Sequence, residues 1–548
     1  MGFQGYGSLH TLVVDDFTNF RLTVIKMLEE FGCRDVASAT NGNSAIKLCQ
    51  ERSYDLILCD YNLGQGKNGQ QVLEELRHRG LLKKSCLFVM LSAESSVSIV
   101  LSAFDYSPDA YLTKPITGNT LKKRLDRLLA QRADMYPVLN DIDLGDIGAA
   151  IAKARHSIEN GSRYAMVYQK LLAELLLQQG NVEQAEAVYR QVLEVRALDW
   201  AQVGMARVKL AQGDATTAIE WSKNILQENP NCMAAYDVLA DAYEGVEDDE
   251  ARQKVLAAAV KISPRSILRQ SSLAKTAEAN NDYPAAAKAY SRAVRLGAHS
   301  CHDKLEHHLQ LGRAAVQLYK DHDPHASEIS REALRVLDAA GKRFSLDKQL
   351  RLQTQMVECQ LLTRRGENLQ AGKLFEEIEE QVELLEDAMN IDSEIDLVHT
   401  LQSLGKQKDA DQLIQDLVEK YRKDEAALQK LDSLLEEPVS DINRKKVAAL
   451  NKEGIGHYNA KDYKLSIDCF VRARRLFPNH IGVHLNLVQA LTADMKEFGV
   501  SDEHMDECLT VLQKVQDSIN NNHAQFTRFR QLQEMVRTMG REAERGLR

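Results

Sequence analysis

Five residues of this chain carry functional groups suited to phosphate and divalent-metal chemistry. They are the carboxylates of Asp15, Asp16 and Asp60, the hydroxyl of Ser92 and the ammonium of Lys114. Three carboxylates brought close repel one another unless a cation lies between them. An all-oxygen set suits a hard Mg2+ ion, which keeps several waters and also takes a phosphate oxygen. Phosphoryl transfer needs chiefly a positioned nucleophile and neutralised charge. Asp60 is the expected nucleophile. Asp16, with Asp15, is expected to hold the metal, and Lys114 and Ser92 to bind phosphoryl oxygens. Each motif alone is weak, since an Asp-Asp pair after a strand is often only a helix N-cap. Their occurrence together is what points to a site.

The elements that must position these groups are legible up to about Ala133. Short apolar runs (Leu12–Val14, Val36–Ala39, Leu56–Cys59, Leu87–Leu91, Ala110–Leu112) alternate with amphipathic helical patterns. Those patterns include Phe20–Phe31, Gly42–Glu51, Val72–Arg79, Ser95–Phe104 and Leu121–Leu129. Five nearly continuous apolar strands separated by helices imply a parallel sheet covered on both faces. In such a sheet ligands sit beyond the carboxyl ends of the strands. Asp15-Asp16, Asp60, Ser92-Ala93 and Lys114-Pro115 follow the first, third, fourth and fifth strands, so parallel topology brings them to one edge.

Past a linker drawn at Asp134–Gly148, which carries Pro137, strand signals vanish and a repeat begins. Gly180-Asn181, Gly213-Asp214 and Asn281-Asp282 mark helix–helix turns, each followed by a small residue at Ala185, Ala218 or Ala286. Tyr189 and Tyr290 follow, with Ser222 breaking that position, and Pro230 and Pro264 stand 34 residues apart. The segment Tyr164–Ala298 thus resembles tetratricopeptide repeats, paired antiparallel helices with small residues where they cross. Lys446–Leu491 resembles them equally, with Gly454, Ser466, Phe470, Ala473 and Pro478 in register. Between Cys301 and Glu437 the pattern is degraded, though Gly366/Ala371/Phe375 and Gly405/Ala410/Ile414 still fit.

Leu12–Asp16, the Asp60 segment, Met90–Glu94 and Tyr111–Pro115 together resemble the receiver domain of response regulators, over about residues 8–133. That resemblance implies a flavodoxin-like, doubly wound α/β domain with a five-stranded parallel sheet, here followed by an all-α tetratricopeptide-type solenoid. It implies that Asp60 takes a phosphoryl group from a histidine kinase or phosphotransfer protein. It further implies Mg2+ on Asp15, Asp16, Asp60 and the backbone carbonyl of Asn62. Ser92 becomes the switch hydroxyl and Tyr111 the aromatic that moves with it. Asn62 and Glu94 match the positions that tune dephosphorylation in fast-cycling chemotaxis receivers. One departure stands out: receivers usually have Pro four residues after the aspartate and Gly eight after. Here Gly64 stands in the first place and Gly69 comes nine after Asp60, so the loop is one residue longer.

The chain has 548 residues, enough for about three or four domain-sized units. The expected division is an acceptor domain over 1–133, a linker and first helix over 134–160, repeats over 161–300, degenerate repeats over 301–440, and a repeat with capping helices over 441–548. A net charge of −10 disfavours a nucleic-acid-binding output. The nine cysteines form no Cys-x-x-Cys pair and read as reduced packing residues of a cytoplasmic protein. No apolar run is long enough to span a membrane. His299, Cys301, His302, His307 and His308 are metal-binding types without a familiar ligand spacing, and read as solvated helix surface. The basic patches 444–446, 472–475 and 528–548 read as solvated faces or acidic-partner contacts. No motif of a separate enzyme appears. The leading expectation is a bacterial-type response regulator whose phosphorylation, acting through the fourth predicted helix and fifth strand, controls protein binding by the repeats. The alternatives are a divergent transcriptional regulator, an enzyme output and a phosphate-sink scaffold.

Overall fold

The structure is a computed structural model and describes residues 5–93, 107–320, 323–344, 347–385 and 388–546. The predicted helix Ser95–Phe104 and Glu94 lie outside the described residues. The chain divides into two compact units, Met1–Ala314 and Ala315–Arg548.

The first unit opens with five strands: β1 (His10–Val14), β2 (Asp35–Ala39), β3 (Leu56–Asp60), β4 (Leu87–Ser92) and β5 (Ala110–Thr113). All are parallel, in the order β2-β1-β3-β4-β5. The strands are apolar on both sides because both faces are covered. Leu12, Val14, Ile57, Cys59, Phe88 and Met90 pack under helices α2 (Gly42–Glu51) and α3 (Gly69–His78). Val13, Leu58, Val89 and Leu91 pack on the other side against Val24 and Leu28 of α1 (Thr18–Glu30) and Leu121, Leu125 and Leu129 of α4 (Gly118–Asp143). Full burial of each such side chain contributes about 1.5–3 kcal/mol.

The segment read as a linker is mostly helix. α4 runs unbroken through Pro137 to Asp143, and after a turn at Gly145 (φ +81°) α5 (Ile147–Glu159) begins. Met135, Val138 and Leu139 are buried in the same cluster as Ala150, Ala154 and Tyr168, so packing outweighs the proline signal. The Tyr168 hydroxyl donates to the Asp134 carbonyl at 2.8 Å, one residue along from the carbonyl that Pro137 cannot serve.

Antiparallel helix pairs follow: Ala165–Gln178 with Val182–Val195, Asp199–Ala211 with Ala215–Glu228, Met233–Gly245 with Asp249–Ile262, and Ile267–Ala279 with Tyr283–Gly297. Ala185, Ala218, Ser222 and Ala286 are fully buried at the crossings. A Cβ on Gly204 would stand 2.2 Å from the Tyr189 ring, so only glycine allows that helix to lie against the tyrosine.

The second unit repeats the device. Lys348–Arg364 pairs with Asn368–Leu385, Ile391–Ser403 with Gln407–Lys420, and Asp441–Asn459 with Tyr463–Leu476. Ala371, Ala410 and Ser466 are fully buried, and the Ser466 hydroxyl donates to the Gly454 carbonyl at 2.8 Å. The helix Phe526–Gly546 lays Phe529, Leu532, Val536 and Met539 on the helices before it. Among the described residues no helix is long and apolar enough to cross a membrane.

Candidate functional site

The strand register decides what meets at the carboxyl edge of the sheet. Val14 pairs with Cys59, Asp60 with Leu91, and Ser92 with Thr113. Asp15 and Asp60 therefore end the neighbouring strands β1 and β3 at one level, while Lys114 follows β5, across β4, two residues beyond that level. The carboxylate oxygens of Asp15, Asp16 and Asp60 lie within 4.8 Å of one another. The Lys114 ammonium bridges two of them, at 2.8 Å from Asp15 Oδ2 and 3.1 Å from Asp60 Oδ1. It also stands 4.0 Å over the Phe20 ring.

Each group is held from behind. The Asp15 amide donates to the Ala39 carbonyl, and Asp15 Oδ1 accepts from the Phe17 amide at 2.9 Å. Arg21 Nη1 donates to the Asp15 carbonyl at 2.7 Å. Arg21 shares the buried stripe of α1 with Val24 and Leu28, a spacing that places a cation where a core residue is expected. Neither Arg21 nor Phe20 carried a motif signal; the apolar spacing around Arg21 was the available clue.

Burial is the largest influence on Asp60, and together with the Asp15 and Asp16 carboxylates it raises the carboxyl from 3.8 to about 6 against the pull of Lys114. Three carboxylates facing one ammonium fit a hard divalent cation, the charge the cluster still lacks.

Ser92 is buried at the end of β4, and its carbonyl accepts from the Lys114 amide at 2.7 Å. Tyr111 pairs with Met90 and is half-buried against the core beneath α2 and α3. Asn62 is exposed, and its side-chain oxygen accepts from the Gly64 amide at 3.3 Å.

The lengthened loop after Asp60 has a physical reason for its glycines. Gly64 has φ +71° and Gly66 φ +100°, which a proline at Gly64 could not adopt. Gly69 closes the loop: its amide donates to the Tyr61 carbonyl at 2.8 Å, and a Cβ there would lie 2.1 Å from the Asp60 carbonyl oxygen. Asn68 then caps α3 through the Gln71 amide.

This loop and α3 also touch the repeat helices of the same unit. Arg265 Nη1 donates to the Tyr61 hydroxyl at 2.8 Å, and Gln71 Nε2 to the Leu296 carbonyl at 3.1 Å. The Lys67 ammonium donates to the His299 carbonyl. His307 and His308 are buried rather than solvated: they face Ser271 Oγ at 2.8 Å and Asp303 Oδ1 at 2.9 Å, because the start of helix Leu305–Lys320 packs inward.

The family described as response regulator receiver domain matches residues 11–126, and the tetratricopeptide repeat family matches residues 171–197. Chemotaxis protein CheY-3 of Vibrio cholerae serotype O1 is 28% identical over 121 residues, which is 22% of this chain and 92% of that protein. Chemotaxis protein CheY of Pseudomonas aeruginosa is 26% identical over 117 residues, 21% of this chain and 93% of that protein. Among solved structures, Vibrio cholerae chemotaxis protein CheY4 is 28% identical and covers 22% of this chain and 98% of its own, with a TM-score of 0.21. Residues 11–126 are therefore a receiver domain of the response regulator family, with a tetratricopeptide repeat at residues 171–197.

Proposed function

We propose that Asp60 accepts a phosphoryl group from a phosphohistidine of a kinase or phosphotransfer protein, and that its phosphorylation alters which proteins the repeat helices bind. The receiver domain makes the chain a component of two-component signalling, and the tetratricopeptide repeat is a protein-interaction element. The acceptor domain is read as residues 1–133 and the output as the helices after residue 161.

The observation that carries the reading is the carboxylate cluster with Lys114 bridging Asp15 and Asp60. An Asp60 carboxylate oxygen attacks phosphorus, the N–P bond of the donor breaks, and the imidazole leaves with the electron pair. Asp15, Asp16, Asp60 and the Asn62 carbonyl are the groups that would hold Mg2+, which when bound neutralises charge on the carboxylates and the phosphoryl oxygens. Lys114 balances charge on the transferred group, and Ser92 donates its hydroxyl to a phosphoryl oxygen. Tyr111 follows Ser92, while Asn62 and Glu94 set the lifetime of the acyl phosphate. The chemistry of the chain is confined to gaining and losing this group.

The route to the repeats runs from Asp60 to the next residue, Tyr61, and on to Arg265. The test has two parts. Acetyl phosphate with Mg2+ should add a phosphoryl mass to the peptide holding Asp60, and none in Asp60→Asn. Beryllofluoride with Mg2+ should change amide exchange over residues 265–302 of the full chain. Unchanged exchange there, with Asp60 phosphorylated, would favour a phosphate sink over a switch. No phosphoryl adduct would defeat the acceptor reading itself.

A further inference from the structure

α3 places Glu74 and His78 four residues apart, on one face one turn apart. Across from them, after helix Tyr283–Gly297, the chain presents Cys301 and His302. A carboxylate oxygen of Glu74, the Cys301 sulfur and a His302 ring nitrogen lie within 4.8 Å of one another. The His78 and His302 ring centroids are 5.6 Å apart, edge to face.

Glu74 is 3% exposed. Its Oε2 accepts from the Ser300 hydroxyl at 2.6 Å. Its Oε1 accepts no hydrogen bond and faces His302 Nε2 at 3.3 Å. The neighbouring Glu75 takes Lys67 at 2.8 Å and Arg79 at 2.9 Å, whereas among the described residues Glu74 has neither a lysine nor an arginine. A buried carboxylate without a full cationic partner is costly. The groups facing it are a thiol and an imidazole, ligands that favour a borderline-soft ion over Mg2+.

We propose that Glu74, Cys301 and His302, with His78 turning in as the fourth ligand, bind a transition-metal ion of the zinc class, and that this ion clasps the receiver domain to the repeat helices. A tetrahedral zinc with bonds of about 2.0–2.3 Å sets its ligands roughly 3.3–3.8 Å apart. The three atoms need to close by about an ångström, within reach of side-chain rotation. On loading, the metal replaces the Cys301 thiol proton, which leaves to solvent. Ser300 acts from behind, fixing Glu74 Oε2 so that Oε1 faces the ion. The site is separate from the Asp15–Asp16–Asp60 cluster in both place and ligand chemistry.

The test uses the full chain stripped of metal by a chelator and titrated with Co2+ while excess Mg2+ occupies the carboxylate cluster. A thiolate-to-cobalt charge-transfer absorption should saturate near one equivalent and be displaced by Zn2+. Cys301→Ser should abolish it. Cys469→Ser, which removes the thiol of a second His/Cys/Glu group at Glu453 and His457, should leave it. His78→Ala should weaken the apparent affinity by at least about 10–100-fold, the loss that even outer-shell partners cause. Absence of the band, its persistence in Cys301→Ser, or an unchanged affinity in His78→Ala overturns the four-ligand site. Circular dichroism of each variant separates lost ligation from lost fold.

Discussion

Replacing Asp60 by Asn should stabilise the receiver domain at neutral pH and do nothing at low pH. The folded surroundings raise the Asp60 carboxyl from 3.8 to about 6. Well below pH 4, at about pH 2–3, the group is protonated in both folded and unfolded chains, and it makes almost no difference. Between about pH 4 and 6 the folded state holds the proton more tightly, so each step upward in pH loses stability. Above pH 6 the loss is complete, and the span corresponds to about 3 kcal/mol. Asp60 is only 7% exposed, so solvent screening removes little of this. Asp60→Asn keeps the shape and lacks the charge. Because the chain has two compact units, a global melting temperature would blur the effect. Amide exchange of the β1 and β3 peptides reports the relevant opening. With a chelator present, the variant should exceed the wild type in protection by roughly a hundredfold at pH 7, and by no more than about two- to threefold at pH 4. Mg2+ should erase the difference by stabilising the wild type alone. A difference of equal size at pH 4 and pH 7, or a variant less protected at pH 7, would refute the electrostatic account of the site.

Lys114→Ala leaves Asp15 and Asp60 facing each other without their shared cation and should cost about 3 kcal/mol, partly restored by Mg2+, in the same exchange measurement. Gly69→Ala drives a methyl into the Asp60 carbonyl and should slow phosphorylation by acetyl phosphate at least about tenfold, read on phosphate-affinity gels. Gly204→Ala meets the Tyr189 ring and should destabilise the first repeats by about 1–3 kcal/mol, followed by fluorescence of Trp200 and Trp221. Arg265→Ala removes the guanidinium that donates to the Tyr61 hydroxyl and should blunt the exchange response of residues 265–302 to beryllofluoride while leaving the phosphoryl adduct on Asp60 intact.

The carboxylate edge was legible because charged residues follow nearly continuous apolar runs, and parallel topology leaves such residues only one place to go. The repeats were legible through Ala185, Ala218 and Ala286, since a helix crossing tolerates little more than a methyl. What could not be read depended on partners distant in sequence. Arg21 looks like any helix arginine until the Asp15 carbonyl is found at its tip. Pro137 reads as a break until Tyr168 and the buried Met135, Val138 and Leu139 outweigh it. His307 and His308 read as surface because nothing local reveals that their helix start packs inward. The added residue in the loop after Asp60 was visible as a departure. Its contact with the repeats, through Lys67 and Tyr61, was not.

The unbroken helix from Gly118 to Asp143 works as a lever arm. Its 26 residues span about 39 Å at 1.5 Å per residue. One end is anchored by Leu121, Leu125 and Leu129 in the sheet core, the other by Met135, Val138 and Leu139 among the repeat helices. A tilt of about 5° at the sheet end would sweep the far end through roughly 3 Å, comparable to the helix shifts that re-sort a packed interface. A small repacking beside the carboxylate edge would in this way be magnified mechanically at the repeat helices, because the arm stays continuous through Pro137.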